Sequence, residues 1–384
     1  MNTAIPWWEA LPADFHRQVD GTELDRQHPL MVHGTAAADI ALRSGLSAVI
    51  AASAAPRMAS RRRLEQEREE LAFYTQRARQ GDPAVVFRAP ADVKVRQHRP
   101  RRLHYRPRGV PAVDLSFESP FEPLNPALRA RYLSHQRNRT AWAQHWRHPE
   151  GPRKTLIFVH GIIEGWYGLN SSWFALKWFY RQGYDVAQIT LPFHGYRQGR
   201  LDPFSGYGFL GNGLSHINEA MLQSICDLQV LCRYLRAEGA PAVGISGLSL
   251  GGYLSALLAV VDPKLAFCIP NSPLVSPIDM MRDWQPSGLL LKTVMWRSGI
   301  DIDELRSGLA VHSPLSYRPR VPAKRVMVIG GAGDRFTPPR FVRLLHAHWP
   351  GSHLHWFPGN HVIHLQQRKY LKLMRWFMHR HTAV

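Results

Sequence analysis

The chain has 384 residues, 45% hydrophobic and 20% charged, which excludes a disordered or fibrous chain and leaves enough apolar surface for a large core. Its formal charge is +19, from 48 basic and 29 acidic side chains, with much of the surplus carried as arginine between Arg57 and Arg108; a solvated basic face is the ordinary reading and an anionic membrane surface or polymer the alternative, while nucleic acid is not expected because no recognition motif accompanies the charge. Three cysteines without a C-x-x-C pair exclude a disulfide framework and point to a reducing, cytoplasmic setting, with peripheral membrane attachment as the use the basic stretch suggests.

Residues 1–105 read as a basic, largely helical N-terminal extension. The start has no basic cluster followed by an apolar run, so no cleavable signal peptide is expected. Trp7, Trp8, Leu11 and Phe15 are docking candidates. Ala36 to Ala55 reads as a helix too interrupted by Asp39 and Arg43 to span a bilayer. Arg61 to Arg79, rich in Glu, reads as a solvent-facing helix ended by Gly81-Asp82-Pro83. From 106 to 384 the texture is that of a second unit. Val113 to Phe117 and Thr140 to Arg147 alternate like antiparallel strands, and the apolar run Thr155 to Val159 reads as a strand buried on both faces, ending in His160-Gly161.

A helix from Trp173 to Arg181 and a strand from Asp185 to Leu191 follow, the strand ending in Pro192-Phe193-His194-Gly195. Then come a long helix, Asn218 to Glu238, and the strand Ala242 to Ile245. Further strands are expected at Ala266 to Ile269, Arg325 to Ile329 and His353 to Phe357. Strands alternating with helices imply parallel β-α-β crossovers. The stretch 271–315 breaks this rhythm and reads as an inserted lid, whose Trp284, Met295 and Trp296 are candidates to line a pocket or to pack lid against core.

Gly247-Leu248-Ser249-Leu250-Gly251 lies between a strand and the helix-forming run Leu254 to Val261. Glycines two residues either side of a serine suit a strained turn whose neighbouring backbones leave no room for side chains, so Ser249 is the candidate nucleophile. A base is expected in a loop after the last strand, and Phe357-Pro358-Gly359-Asn360-His361 supplies His361; the competing His364 is assigned to the helix that follows. An acid is expected after the preceding strand, where Gly330-Gly331-Ala332-Gly333-Asp334 supplies Asp334, also a good turn-former and helix cap. The order is Ser, Asp, His.

These residues resemble the α/β-hydrolase superfamily, in its serine esterase and lipase-like branch, over roughly the last 270 residues. The resemblance implies an α/β-hydrolase fold: a mostly parallel central sheet flanked by helices, with the lid inserted and the helical extension added. It implies a Ser249-His361-Asp334 triad, an oxyanion hole from the backbone N–H groups of Ile162 and Leu250, and substrate contact from Gly161 and His194, the latter chiefly a loop organiser. The implied activity is hydrolysis of an ester or thioester, with an apolar acyl part on the evidence of the lid. Amide hydrolysis by the same triad and a non-catalytic binding protein docking on an anionic surface are the rivals, and the N-terminal hundred residues have no counterpart in the resemblance.

No cofactor or metal is implied. Gly206 to Gly211 fits G-x-G-x-x-G, but no strand precedes it closely, which argues against a dinucleotide site. His346, His348, His353 and His355 cluster without a carboxylate and read as surface histidines.

Overall fold

The structure, a computed structural model, describes residues 5–100, 105–162 and 166–382. Among these residues nine strands form one sheet: β1 (Arg96–His98), β2 (Ala112–Glu118), β3 (Thr140–Trp146), β4 (Thr155–Val159), β5 (Asp185–Thr190), β6 (Val243–Leu248), β7 (Cys268–Asn271), β8 (Met327–Gly331) and β9 (His353–Phe357). Their spatial order is β1-β2-β3-β5-β4-β6-β7-β8-β9. β1 pairs with β2, β2 with β3 and β3 with β5, all antiparallel; from β5 across to β9 every pairing is parallel. The sheet is thus the mostly parallel sheet of an α/β-hydrolase fold.

The longer helices are α1 (Pro29–Met58), α2 (Arg61–Arg79), α3 (Leu214–Ala237), α4 (Leu250–Val261), α5 (Ser287–Ser298), α6 (Ile302–Leu309), α7 (Pro339–His348) and α8 (Gln367–Thr382). Residues of β4 are buried throughout because alternate side chains enter two separate cores. Ile157 and Val159 join Leu222, Leu228 and Leu254 on one face, whereas Leu156 and Phe158 join Phe179, Met374 and Phe377 on the other. The chain runs from β4 to its neighbour β5, then crosses back over β4 to form β6 on the other side. That reversal opens a crevice beyond the carboxyl ends of β4 and β6, where ligands of such sheets bind.

Several elements differ from the sequence reading. The helix expected over Trp173 to Arg181 is two, Tyr167–Trp173 and Leu176–Arg181, broken at Ala175, whose φ is 51°. Strand β1 was not expected; it is three polar residues recruited by pairing with β2. The extension is a packed layer and not a loose arm. Trp8 and Phe15 are buried, Trp7 Nε1 donates to Ser316 Oγ at 2.9 Å, and the Phe15 ring meets Phe341 edge-on. Helix α2, expected to face solvent, buries Leu71, Tyr74 and Ala78, and the Tyr74 hydroxyl donates to Glu219 Oε1 of α3 at 2.5 Å. Of the basic run Arg57 to Arg108, residues Arg101 and Arg102 lie outside the described residues.

Helix α1 is longer than expected, and its 29–55 portion is long and apolar enough to cross a membrane by length and composition. Its two interrupting charges have partners on the sheet domain. Asp39 is fully buried, and Arg43 Nη1 donates to Asp283 Oδ2 at 3.0 Å and to the Arg335 carbonyl at 2.8 Å. Together with Val32, Ala36 and Ser47, also buried, they form one stripe at helical spacing.

Behind the crevice, the Arg197 guanidinium meets Asp227 of α3 at 2.7 Å with both side chains fully enclosed, and donates to the carbonyls of Asn138 and Thr190. Removing one partner of such a pair strands the other charge in the core, at a loss of about 3–5 kcal/mol. Asp227→Ala is therefore expected to lower the unfolding free energy by about that amount in urea titration; a change under ~1 kcal/mol, the level of a surface pair, would contradict this account of the pair.

Candidate active site

Ser249 stands between β6 and α4 with φ 58° and ψ −116°, a backbone that L-residues avoid. Its neighbours show why the sequence needs glycine there. A Cβ on Gly251 would lie 2.0 Å from the Val159 carbonyl oxygen, and one on Gly247 would lie 2.5 Å from the Gly251 carbonyl carbon. The bare backbone lets α4 start directly against the end of β4, and Ser249 N donates to the Asn271 carbonyl of β7 at 2.9 Å. Leu250 is the first residue of α4, so its N–H is among the unpaired donors of a helix start, where the helix dipole favours negative charge.

The second expected oxyanion donor is oriented by His160. The Leu191 N–H donates to His160 Nε2 at 3.1 Å, which leaves the ring proton on Nδ1, facing the Gly161 carbonyl at 2.7 Å. In a trans peptide the N–H points opposite the carbonyl, so anchoring the Gly161 oxygen aims the Ile162 N–H to the other side. Burial, followed by the charge of His194, pushes the His160 pKa down to about 3; the ring stays neutral and this arrangement holds across the ordinary pH range. His194 does not line the cavity. It is fully buried, with Nδ1 at 2.7 Å from the Pro192 carbonyl and Nε2 at 2.6 Å from the Ile162 carbonyl. It is a brace for the loop after β4 and not a substrate contact.

Asp334 and His361 follow β8 and β9. His361 Nδ1 lies 2.8 Å from Asp334 Oδ2, and Asp334 Oδ1 accepts from the N–H groups of Phe336 and Thr337 at 2.9 and 2.8 Å. Asp334 therefore both shapes its turn and faces the histidine. Burial alone would raise its carboxyl, but the His361 charge, the His361 hydrogen bond and the Thr337 N–H outweigh it and hold the group below the ordinary carboxylate value. His364 is not in the helix assigned to it, since α8 begins at Gln367. Its Nδ1 pairs with the Tyr370 hydroxyl at 2.6 Å and burial pushes its pKa down to about 4. The structure puts the carboxylate on His361.

Gly161, Ile162, Ser249, Leu250 and His361 all border one cavity of about 1240 Å³. Trp284 borders it too, fixed by an Nε1 hydrogen bond to the Phe336 carbonyl at 3.1 Å. Trp296 does not: its side chain is 83% exposed on α5, because that helix turns Leu291 and Val294 inward instead. The cavity is walled by residues of the 271–315 stretch and also by the extension, through Leu46, Ile50 and Met58 of α1 and Leu64 and Leu71 of α2.

Two residues were missed by the sequence reading. Thr337 Oγ1 lies 2.9 Å from Asp334 Oδ2 and 3.2 Å from His361 Nδ1, bridging the pair. Asp39 of α1 accepts from the Arg335 N–H at 2.9 Å and from the His361 N–H at 3.0 Å. Only the three-residue step from Asp334 to Thr337 was visible in the sequence; Asp39 is 322 positions from His361 and left no local signal.

A serine on a strained elbow, at the switch point of a mostly parallel sheet, defines an α/β-hydrolase-fold protein. Solved structures of that fold are similar to the chain: acetyl xylan esterase 1 from Thermoanaerobacterium sp. JW/SL YS485, at 16% identity and TM-score 0.54 over 83% of this chain and 98% of that one. Another is the acetyl xylan esterase from Paenibacillus sp. R4, at 14% identity and TM-score 0.52 over 79% and 93%. At such identities the likeness is one of fold. No protein-family model matches the sequence. The chain belongs to the family of the uncharacterized proteins Rv2627c and MT2702 of Mycobacterium tuberculosis, strains H37Rv and CDC 1551 / Oshkosh, with 31% identity to each over 306 residues, or 78% of this chain and 70% of the relative.

Burial, and after it the negative charge of Asp334, pushes the Asp39 carboxyl up from 3.8 to about 7. Between those values the folded chain holds a proton that the unfolded chain has released, so stability falls as pH rises through the interval. Asp39→Asn cannot titrate. Its unfolding free energy is expected to decline less than that of the wild type between pH 5 and pH 8 in denaturant titrations, and parallel pH profiles would contradict the assignment.

Proposed function

We propose that the protein is a serine hydrolase that cleaves esters or thioesters of long apolar acyl groups. The observation that carries this reading is that Ser249 and His361 open on one large apolar cavity while Asp334 backs the histidine at 2.8 Å. His361 takes the Ser249 hydroxyl proton as Oγ attacks the acyl carbonyl, and the N–H groups of Leu250 and Ile162 receive the charge on its oxygen. The proton then passes to the leaving alkoxide or thiolate, and the acyl group stays on Ser249. Water, deprotonated by the same histidine, releases the acid and restores the serine.

Cavity size narrows the acyl group. At roughly 30 Å³ per heavy atom, the share of a water molecule in the liquid, an acetyl group fills under a tenth of the space and a sixteen-carbon chain about two-fifths. Each methylene buried adds about 0.8 kcal/mol of binding. With p-nitrophenyl esters, kcat/KM is expected to rise at least tenfold from acetate to decanoate, and Ser249→Ala to remove turnover. A flat chain-length series would refute the long-chain specificity. Turnover that survives in the alanine variant would refute the serine mechanism.

A second observation bears on where such chains come from. Leu42 and Val49 of α1 and Leu169 and Trp173 across the opening both border the cavity and are 43–53% exposed, an apolar rim around its mouth. We propose that this rim meets a lipid surface, with the net charge of +19 favouring anionic headgroups. Wild-type protein is expected to co-sediment with phosphatidylglycerol vesicles more than with phosphatidylcholine vesicles, and Leu42→Asp/Val49→Asp to weaken it. Equal sedimentation of wild type and variant would refute the rim.

A further inference from the structure

We infer that Asp39, carried by the N-terminal helix α1, is a positioning residue of the acyl-transfer site, holding the acid loop and the histidine loop in register through their backbone N–H groups. The inference rests on the reading of Ser249, Asp334 and His361 given above and adds to it a part from outside the sheet domain. Asp334 and His361 sit on separate loops, after β8 and β9, and their contact depends on the distance between those loops. One oxygen of Asp39 spans them: Oδ2 accepts from His361 N at 3.0 Å and from Arg335 N, the residue next to Asp334, at 2.9 Å. The side chain is fully enclosed, so water does not compete for either bond.

Other residues on the same stripe of α1 reach the same loops. The Thr35 carbonyl accepts from Asn360 Nδ2 at 2.7 Å, one residue before the histidine. Arg43 holds the Arg335 carbonyl at 2.8 Å. At Gly333, a Cβ would stand 2.6 Å from Thr35 Oγ1 and 2.7 Å from the Val32 carbonyl, so the helix lies against bare backbone beside the acid. Val32, Thr35, Asp39 and Arg43, spaced by three, four and four residues, are the contacts of one helix face.

The charged groups in this cluster are Asp334, His361 and Arg335 from the sheet domain, Arg43 from α1, and Asp283 from the lid.

The test compares wild type, Asp39→Ala, Asp39→Asn and, as a control on an exposed neighbour, Ile40→Ala, using p-nitrophenyl decanoate turnover and hydrogen exchange of the peptides around Arg335 and His361. Asp39→Ala is expected to lower kcat at least tenfold with KM within threefold, and to speed exchange at both amides. Asp39→Asn keeps an acceptor oxygen and is expected to restore amide protection and most of kcat; Ile40→Ala should match wild type. If the alanine variant does not fold, Asp39→Leu, close in volume, takes its place. Wild-type kcat and protection in the folded alanine or leucine variant, or lost protection in the asparagine variant, would overturn the inference. Wild-type protein inert toward esters would overturn the hydrolase reading instead, and the exchange data would still decide whether Asp39 holds the loops.

Discussion

The left-handed backbone of Ser249 is the constraint on which the rest of the site depends. Holding a non-glycine residue there costs on the order of 1–3 kcal/mol, and the surroundings must supply it. They do so through the approach of α4 to β4, which is possible only because Gly247 and Gly251 carry no side chains. The same approach sets the Leu250 N–H at a helix start and brings it beside the loop after β4. There His160, kept neutral by burial, anchors the Gly161 carbonyl and so aims the next N–H. One tight strand-to-helix turn therefore fixes the serine and sets the Leu250 N–H close to the loop of Gly161 and Ile162.

The other half of the site depends on a different kind of support. The β8–β9 ladder reaches into the loops only as far as the Gly333 N–H, which donates to the Gly359 carbonyl at 2.7 Å. Beyond that point the segment before the sheet adds the support. Helix α1 lies across the loops of Asp334 and His361 with a polar stripe, and helices α1 and α2 continue over the cavity with apolar side chains. This accounts for an otherwise odd composition: a helix apolar enough for a bilayer interior that carries an aspartate and an arginine on one face. Those two charges are its contacts with the loops of Asp334 and His361, and its remaining exposed apolar side chains include part of the cavity rim.

Much of the sheet domain was legible in the sequence because parallel strands buried on both faces leave continuous apolar runs. Thr155 to Val159 was read with its exact ends, and β8 within two residues of them. The elbow and the acid and base loops were legible because glycines are needed where backbones touch and because the loops follow strands. What failed has a common cause in side-chain direction and long-range contact. An apolar lid helix does not reveal which face looks inward, so Trp296 was assigned to a pocket it does not border. His364 was placed in a helix that starts three residues later, since loop-to-helix boundaries have weak local signals. The alanine-rich α1 has little contrast between its faces, and the role of Asp39 is set by partners nearly three hundred residues or more away.

The central claim is that Ser249 is an activated nucleophile facing a large apolar cavity. The most direct test is peptide mass mapping of folded protein after reaction with a long-chain alkyl fluorophosphonate. The account predicts a single adduct on the peptide containing Ser249, formed faster than with a short-chain reagent of the same kind and absent from Ser249→Ala. Folded wild-type protein that takes up no label, or labels elsewhere at an equal rate, would contradict it.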